Sequence, residues 1–243
     1  MQLDKIFFIH IPKAAGTSFR KTVQDQIGRE KVLWLGENNV SMDKFRADTP
    51  ENLAHTVVGG HIPYGLASQT YKDGYQYFAT LREPVSRAIS LHNFICSRPG
   101  HALYEELSEI SIKRAIEVST RFRSQINNLQ CNYLSENRQR TSKAALRSIK
   151  KNNIKVNTME FGHLLMPEAS SLLGLPKAPE MEKRNTASKG SYAKPEYLDR
   201  ELLEMIIDLN KEDLVLYYYI KGIYENALEP SYDNLKNIRL NES

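Results

Sequence analysis

Cysteine is scarce in this chain: Cys96 and Cys131 are the only two among 243 residues, and they form no CxxC pair. That argues against a disulfide framework and a cysteine zinc site, and makes reduced thiols of a cytosol the default expectation. Long apolar runs are missing as well, since nothing approaches the roughly 18 consecutive apolar residues of a membrane span. The opening MQLDKIFFIHIPK has too short an apolar core and the wrong flanks for a signal peptide. A soluble, cytoplasmic protein is the expectation. Strong charge of one sign is also lacking: 33 Lys and Arg stand against 29 Asp and Glu, a formal +4. That balance falls short of a dedicated nucleic-acid binder and suits a local anionic ligand better than a long polyanion. The nucleotide-binding pattern GxxxxGK[ST] does not occur, which disfavours an ordinary ATPase or GTPase, and no HExxH or His-Cys cluster calls for a metal. There is no internal repeat and no low-complexity segment.

What is present reads as one core. With 41% hydrophobic and 26% charged residues, residues 1–243 are expected to form a single domain. Short apolar runs of strand type lie at Ile6 to Ile11, Val32 to Leu35, Thr56 to Gly59 and Tyr75 to Leu81. Helical spacing of Phe19, Val23 and Ile27 marks a helix over Thr17 to Ile27, and Pro84 introduces another over Val85 to Phe94. Alternating strand, loop and helix predicts a three-layer α/β fold, a central and mainly parallel sheet between flanking helices. The second half is expected to be helix-rich: Tyr104 to Val118, Arg121 to Leu134, Ser142 to Asn152, Pro167 to Leu173, Glu196 to Leu209 and Lys211 to Asn226, with a short strand over Lys155 to Met159. Glu182 to Pro195, polar and basic with Ser, Gly and Pro, reads as a loop. Asn210 and Asp213 resemble a helix cap and are taken as structural.

The first strand runs into HIPKAAGTS. A strand that ends in a Gly-containing turn and feeds a helix presents free backbone N–H groups at the helix start, which suits a phosphate. Lys13 adds a full charge, Thr17 and Ser18 add hydroxyl donors, and Gly16 allows close approach of the backbone. The competing reading is a plain turn capped by Thr17 or Ser18, with Lys13 solvated. The segment YFATLREPVSRAISLHNF repeats the strand, turn and helix order. Arg82 stands at the strand end with Ser90 eight residues on, a pair able to grip a second phosphate by a two-pronged guanidinium contact and one hydroxyl. Singly, Arg82 could pair with Glu83 and Ser90 could be an ordinary helix residue. Together the two sites suit a nucleotide phosphorylated at both ends of its ribose.

FFIHIPKAAGTS closely resembles the 5′-phosphosulfate loop of sulfotransferases that use 3′-phosphoadenosine 5′-phosphosulfate (PAPS), in the branch similar to heparan sulfate 2-O-sulfotransferases and related carbohydrate enzymes. LREPVSRAIS resembles that family's 3′-phosphate site, QINNLQCNYLS (Gln125 to Ser135) a segment of the same branch, and NKEDLVLYYY its C-terminal helix. The resemblance implies a P-loop-like fold in which Lys13, the backbone of Ala14, Ala15 and Gly16, and Thr17 and Ser18 surround the 5′-phosphosulfate. Arg82 and Ser90 would hold the 3′-phosphate. The basic loop with Arg184, Asn185, Ser188 and Lys189 loosely matches the segment that closes over the nucleotide.

Sulfuryl transfer to an alcohol needs a base for the acceptor proton and a cation beside the departing phosphate oxygen. Lys13 is the candidate cation. His61, in VVGGHIPYG just past a strand, is the candidate base, since ligands gather at that edge of a parallel sheet. The Gly-His context of the heparan-type enzymes it resembles supports this choice. Gly59 and Gly60 would leave room for a substrate, with Pro63 and Tyr64 as walls; a turn His with no chemical role is the alternative. His10 reads as a core or supporting residue and His92 as a helical residue that could equally face the surface, while Glu37 and Asp73 are weak substitutes for the base. The leading reading is a PAPS-dependent sulfotransferase acting on a hydroxyl and releasing adenosine 3′,5′-bisphosphate (PAP), with no metal required. A kinase-like phosphotransferase and a non-catalytic nucleotide or sulfated-glycan binding module are the alternatives. Arg114, Arg121, Arg123, Arg138 and Arg140 could attract an acidic glycan or simply form a solvated helix face.

Overall fold

The computed structural model describes residues 5–35, 55–71, 74–175 and 199–228. Its five strands are β1 (Lys5–Ile9), β2 (Val32–Leu35), β3 (Val57–Gly60), β4 (Tyr75–Leu81) and β5 (Lys155–Thr158), joined in the order β2-β3-β1-β4-β5. Every pair is parallel. Ile9 of β1 lies opposite Gly60 on one side and Ala79 on the other. The chain therefore leaves β3, β1 and β4 at one edge, on neighbouring strands about 5 Å apart.

Both faces of the sheet are covered, which is why its strands read as continuous apolar runs. Alternation along β1 sends Ile6 and Phe8 to one face, into a cluster with Phe19 and Val23 of α1 (Gly16–Ile27) and Leu165 and Met166 of α9 (Gly162–Leu172). Phe8 stacks on Phe19 with ring centroids 4.2 Å apart. Phe7 and Ile9 enter the opposite cluster with residues of α2 (Tyr64–Thr70), α7 (Leu129–Leu134), α8 (Ser142–Lys151) and α11 (Lys211–Leu228). A separate apolar cluster joins α3 (Pro84–Cys96), α4 (Tyr104–Leu107), α5 (Ile112–Val118), α6 (Thr120–Ile126) and α10 (Arg200–Leu209).

The first four strands fall where the apolar runs place them, to within two residues. The long helices expected over Tyr104 to Val118 and Arg121 to Leu134 are each broken in two. Ser111 accepts from the N–H of Arg114 and starts α5 afresh. Asn128 adopts left-handed φ 43° between α6 and α7, a conformation Asn tolerates better than most residues. Pro167 does not open its helix but sits inside α9.

Asn128 and Asp213 cap each other's helices. Asn128 Oδ1 accepts from the N–H groups of Glu212 (3.0 Å) and Asp213 (3.1 Å), while Asp213 accepts from those of Gln130 (3.0 Å) and Cys131 (2.8 Å). Asp213 is thus structural, but for α7 rather than its own helix. Asn210 donates back to Ile206 instead of capping α11. The Glu182 to Pro195 loop and the first residues of the helix expected from Glu196 lie outside the described residues.

Candidate active site at the carboxyl edge of the sheet

The loop after β1 is built around two left-handed residues, Lys13 (φ 70°) and Ala15 (φ 63°), neither of them glycine. Such conformations cost on the order of 1–3 kcal/mol each and are held where the surroundings dictate them. Ala15 occupies the cap position of α1, and no side chain among the described residues caps the helix. The alternative of a turn capped by Thr17 or Ser18 is therefore not what forms. The N–H groups of Ala14 and Ser18 bond back to Ile11 and Ala15. Those of Lys13, Ala15, Gly16 and Thr17 have no hydrogen-bond acceptor among the described residues. Left-handed turns that leave successive N–H groups unpaired at a helix start make an anion-binding concavity.

Gly16 also answers to packing within the protein: a Cβ there would lie 2.0 Å from Cδ2 of the His10 ring, so the missing side chain makes room for His10. His10 is buried at the end of β1, and its ring stacks on that of His61, with centroids 4.1 Å apart. The His10 carbonyl accepts from His61 Nδ1 at 2.8 Å. A carbonyl can only accept, so Nδ1 carries the proton and Nε2 of neutral His61 keeps its lone pair.

His61 follows β3 directly and retains an exposed edge. Dense protein around the ring lowers its pKa below the usual 6.5; the His10 carbonyl opposes this and the Lys13 charge adds to it. His10 is pushed well below the same value by burial, then by His61, Arg20 and Lys13. Gly59 and Gly60 do not open a substrate space: a Cβ on Gly59 would meet the Trp34 ring at 2.4 Å, and one on Gly60 the Leu35 carbonyl at 2.3 Å. They admit the neighbouring strand β2. Tyr64, expected as a wall, packs edge-on against Tyr77 in the core.

After β4, Arg82 donates through Nη1 to the Lys13 carbonyl (3.2 Å), tying the second loop to the first. No close ion pair joins it to Glu83 among the described residues, although the Glu83 charge acts on it; the Glu83 carboxylate caps α3 by accepting from Val85 (2.9 Å) and Ser86 (2.7 Å). An anion beside Arg82 is thus left to side chains, because that helix start is already filled. Ser90 lies half-buried further along α3, with no hydrogen bond to Arg82 among the described residues.

Lys13 is half-buried, and its ammonium sits 4.0 Å from the centre of the Phe94 ring. Burial, with Arg82 and Arg98 nearby, lowers its pKa from 10.5 to about 8. Clustered cations with depressed pKa values signal a site that gains from an incoming anion.

Several residues that support this site gave no obvious sequence signal. Gln130 is fully buried and brackets the Arg82 backbone, accepting from its N–H and donating to its carbonyl, both at 2.9 Å. Its only sequence hint was its place in QINNLQCNYLS. Arg87, also fully buried, donates to the carbonyls of Gln125 (3.2 Å) and Ile126 (3.1 Å) at the end of α6, with Asp213 as the opposite charge that acts on it most. His92 is buried against Phe122 and is not a surface residue. Four of the arginines considered for an acidic acceptor are engaged locally. Arg114 pairs with Glu117 (3.0 Å), Arg121 with Glu106 (3.7 Å), Arg123 donates to the Glu117 carbonyl (2.8 Å), and Arg140 to that of Asn127. Arg184, Asn185, Ser188, Lys189, Glu37 and Asp73 lie outside the described residues.

Sheet and edge together define a parallel α/β protein with a loop of unpaired N–H groups, among the described residues, at the carboxyl ends of its strands. The sequence matches the family model described as "Sulfotransferase family" over residues 2–220, and the chain belongs to that family. No curated protein matches it. Among solved structures it is similar to mouse sulfotransferase SULT7A1 complexed with PAP, at 14% identity and a TM-score of 0.45, the match covering 72% of this chain. The same match spans 59% of the SULT7A1 chain.

Proposed function

We propose that this protein transfers the sulfuryl group of PAPS to an acceptor hydroxyl on a carbohydrate. The observation that carries the proposal is the convergence, at one edge of the sheet, of a loop whose four N–H groups find no acceptor among the described residues, two cations, and a His whose Nε2 carries no proton. Phosphate groups fit the loop and the two cations, because each of those groups is a donor or a positive charge, and they leave His61 Nε2 as the acceptor of a proton. Membership of the sulfotransferase family points to the sulfated nucleotide, and the carbohydrate acceptor rests on the resemblance to the heparan sulfate branch.

In this reading the N–H groups of Lys13, Ala15, Gly16 and Thr17, with the Thr17 and Ser18 hydroxyls, hold the 5′-phosphosulfate. Arg82 and Ser90 hold the 3′-phosphate, and Asn185 and Lys189 lie in the segment proposed to close over the nucleotide. His61 Nε2 takes the acceptor's hydroxyl proton, and the His10 carbonyl keeps the ring in the tautomer that allows it. PAPS supplies the sulfuryl group: its sulfur-to-phosphate oxygen bond breaks as the acceptor oxygen bonds to sulfur, and PAP is the product. Lys13 faces the oxygen that gains charge in that step.

Thermal unfolding with PAP or ATP tests the nucleotide, since a ligand selective for the folded state at 100 times its Kd stabilises it by about 2.7 kcal/mol. PAP is expected to raise Tm and ATP to do so much less. Stabilisation by ATP alone would overturn the proposal. Lys13→Ala and Arg82→Ala are expected to weaken PAP binding, and His61→Ala to abolish sulfate transfer from labelled PAPS with PAP affinity nearly intact.

A further inference from the structure

The long helix α11 turns large apolar side chains to solvent. Its Asp213, Leu216, Tyr217 and Ile220 are buried, whereas Val215, Tyr218, Tyr219 and Ile223 are each half or more exposed. That spacing gathers the exposed residues into one stripe along the side of the helix opposite the core. Gly222 lies in the same stripe, and a Cβ there would meet nothing within 4 Å, so no segment among the described residues covers it.

Beside it, α8 presents a basic stripe. Ala145 and Ser148 are buried, while Lys143, Arg147 and Lys150 stand exposed at helical spacing on the other side. The two helices are joined where they start, the Glu212 carboxylate accepting from the N–H (2.7 Å) and the hydroxyl (2.6 Å) of Ser142. Both pack into the cluster on the Phe7 and Ile9 face of the sheet, through Ala145 from α8 and Leu216, Tyr217 and Ile220 from α11. Apolar and basic stripes therefore look outward from neighbouring helices. Acids nearby do not offset the bases. Glu136 pairs with Lys151 (3.0 Å), Asp208 with Lys211 (2.9 Å) and Glu225 with Lys221 (3.3 Å), whereas Lys143, Arg147 and Lys150 join no ion pair among the described residues.

This combination selects its occupant. Four apolar side chains fall short of the roughly 20–30 residues a side of a stable protein interface, and a second copy would bring its own bases toward these. A dissolved polyanion would neutralise the bases and leave the tyrosines, Val215 and Ile223 with no apolar phase to enter. A bilayer with anionic headgroups meets both demands, with phosphates for the bases and, for the tyrosines, the boundary between headgroups and acyl chains. No helix among the described residues is long and apolar enough to cross a membrane, so the contact is with its surface.

We infer that α8 and α11 form a docking face for an anionic lipid surface, the bases of α8 meeting headgroups and the Tyr219 and Ile223 side of α11 entering the boundary beneath them. The inference goes beyond the sulfotransferase reading and stands apart from it, since the face uses neither the Lys13 loop nor Arg82 nor His61.

The test mixes the full chain with vesicles of phosphatidylcholine, with or without phosphatidylglycerol as one lipid in three, and reads bound protein by flotation. Each base near an anionic surface is worth about fivefold, so the wild type is expected to bind the anionic vesicles about 100-fold more tightly than the neutral ones. The triple variant K143Q/R147Q/K150Q is expected to lose that preference, and Y219S/I223S to bind the anionic vesicles about tenfold more weakly. All five side chains are outward-facing, so both variants should keep the wild-type Tm. Tyr219→Trp should shift its emission to the blue on the anionic vesicles, against the steady background of buried Trp34. Equal binding to the two kinds of vesicle, or binding to neither, would overturn the inference. So would undiminished binding by either multiple variant, or an unshifted Trp emission. Self-association of the wild type that Y219S/I223S abolishes, without vesicle binding, would overturn it and assign the face to a second copy.

Discussion

Lys13 offers the sharpest test of the site, because its charge depends on pH in a range where little else around it titrates. In the free protein burial and two neighbouring arginines hold its pKa at about 8. A phosphate beside the ammonium raises that value, since an opposite charge favours the protonated form. The sign follows from linkage. A group whose pKa rises on binding contributes fully below its free pKa, and that contribution is lost as pH rises through it. With a free value of about 8 and a bound value near 10 or above, Lys13 is about nine-tenths charged at pH 7 and about one-tenth at pH 9. PAP affinity should therefore fall about tenfold over that interval, or about 1.4 kcal/mol.

Other groups do not confuse this window. His10 and His61 lie below 6.5, and the thiol of Cys96 is raised above its usual 9.0. The second ionisation of a phosphate monoester, near 6, is complete before the interval begins. Calorimetric titration of PAP at fixed ionic strength, from pH 7 to pH 9, reads the effect directly, since salt would otherwise screen it. Lys13→Arg keeps its charge throughout and should flatten the curve. A pH-independent affinity in the wild type, or an undiminished slope in Lys13→Arg, would refute the reasoning.

Three further outcomes follow from the same structure. The rate kcat/KM for sulfate transfer should be bell-shaped, with an acid limb below pH 6.5 set by His61 and an alkaline limb near 8 set by Lys13; steady-state profiles of the wild type and Lys13→Arg check that only the alkaline limb moves. Gly16→Ala forces a Cβ to within 2.0 Å of the His10 ring and should lower Tm and transfer together, at a cost of about 1–3 kcal/mol. His10→Ala in the same chain should restore stability but not transfer, read by thermal unfolding and turnover. Asp213→Ala leaves Arg87 buried without its counter-charge and frees two N–H groups of α7, so denaturant unfolding should show a loss of about 3–5 kcal/mol.

Much of the fold is legible in the chain itself. A run such as KIFFI declares a buried strand because apolar residues lie on both of its faces, and Pro84 declares a helix start because it has no N–H to leave unpaired. The loop Lys13 to Ser18 is also local, since its unpaired N–H groups, those of Lys13, Ala15, Gly16 and Thr17, lie within five residues. Helix breaks were less legible. Asn128 interrupts one helix because its side chain caps another, 84 positions away in sequence at Glu212.

The sequence by itself determined the alternating strands and helices, the cradle loop, and Arg82 at the end of a strand, because each depends on contacts within a few residues. Only the tertiary structure decided what those groups face. The order β3-β1-β4 brings the loops of His61, Lys13 and Arg82 to one edge, and so makes the His10 carbonyl the partner of His61 and the Lys13 carbonyl the partner of Arg82. It also gave the glycines work that their pattern did not show. Gly16 yields to the His10 ring and Gly59 to Trp34, because a missing side chain records only that something lies close, and the packing of distant segments determines what that something is.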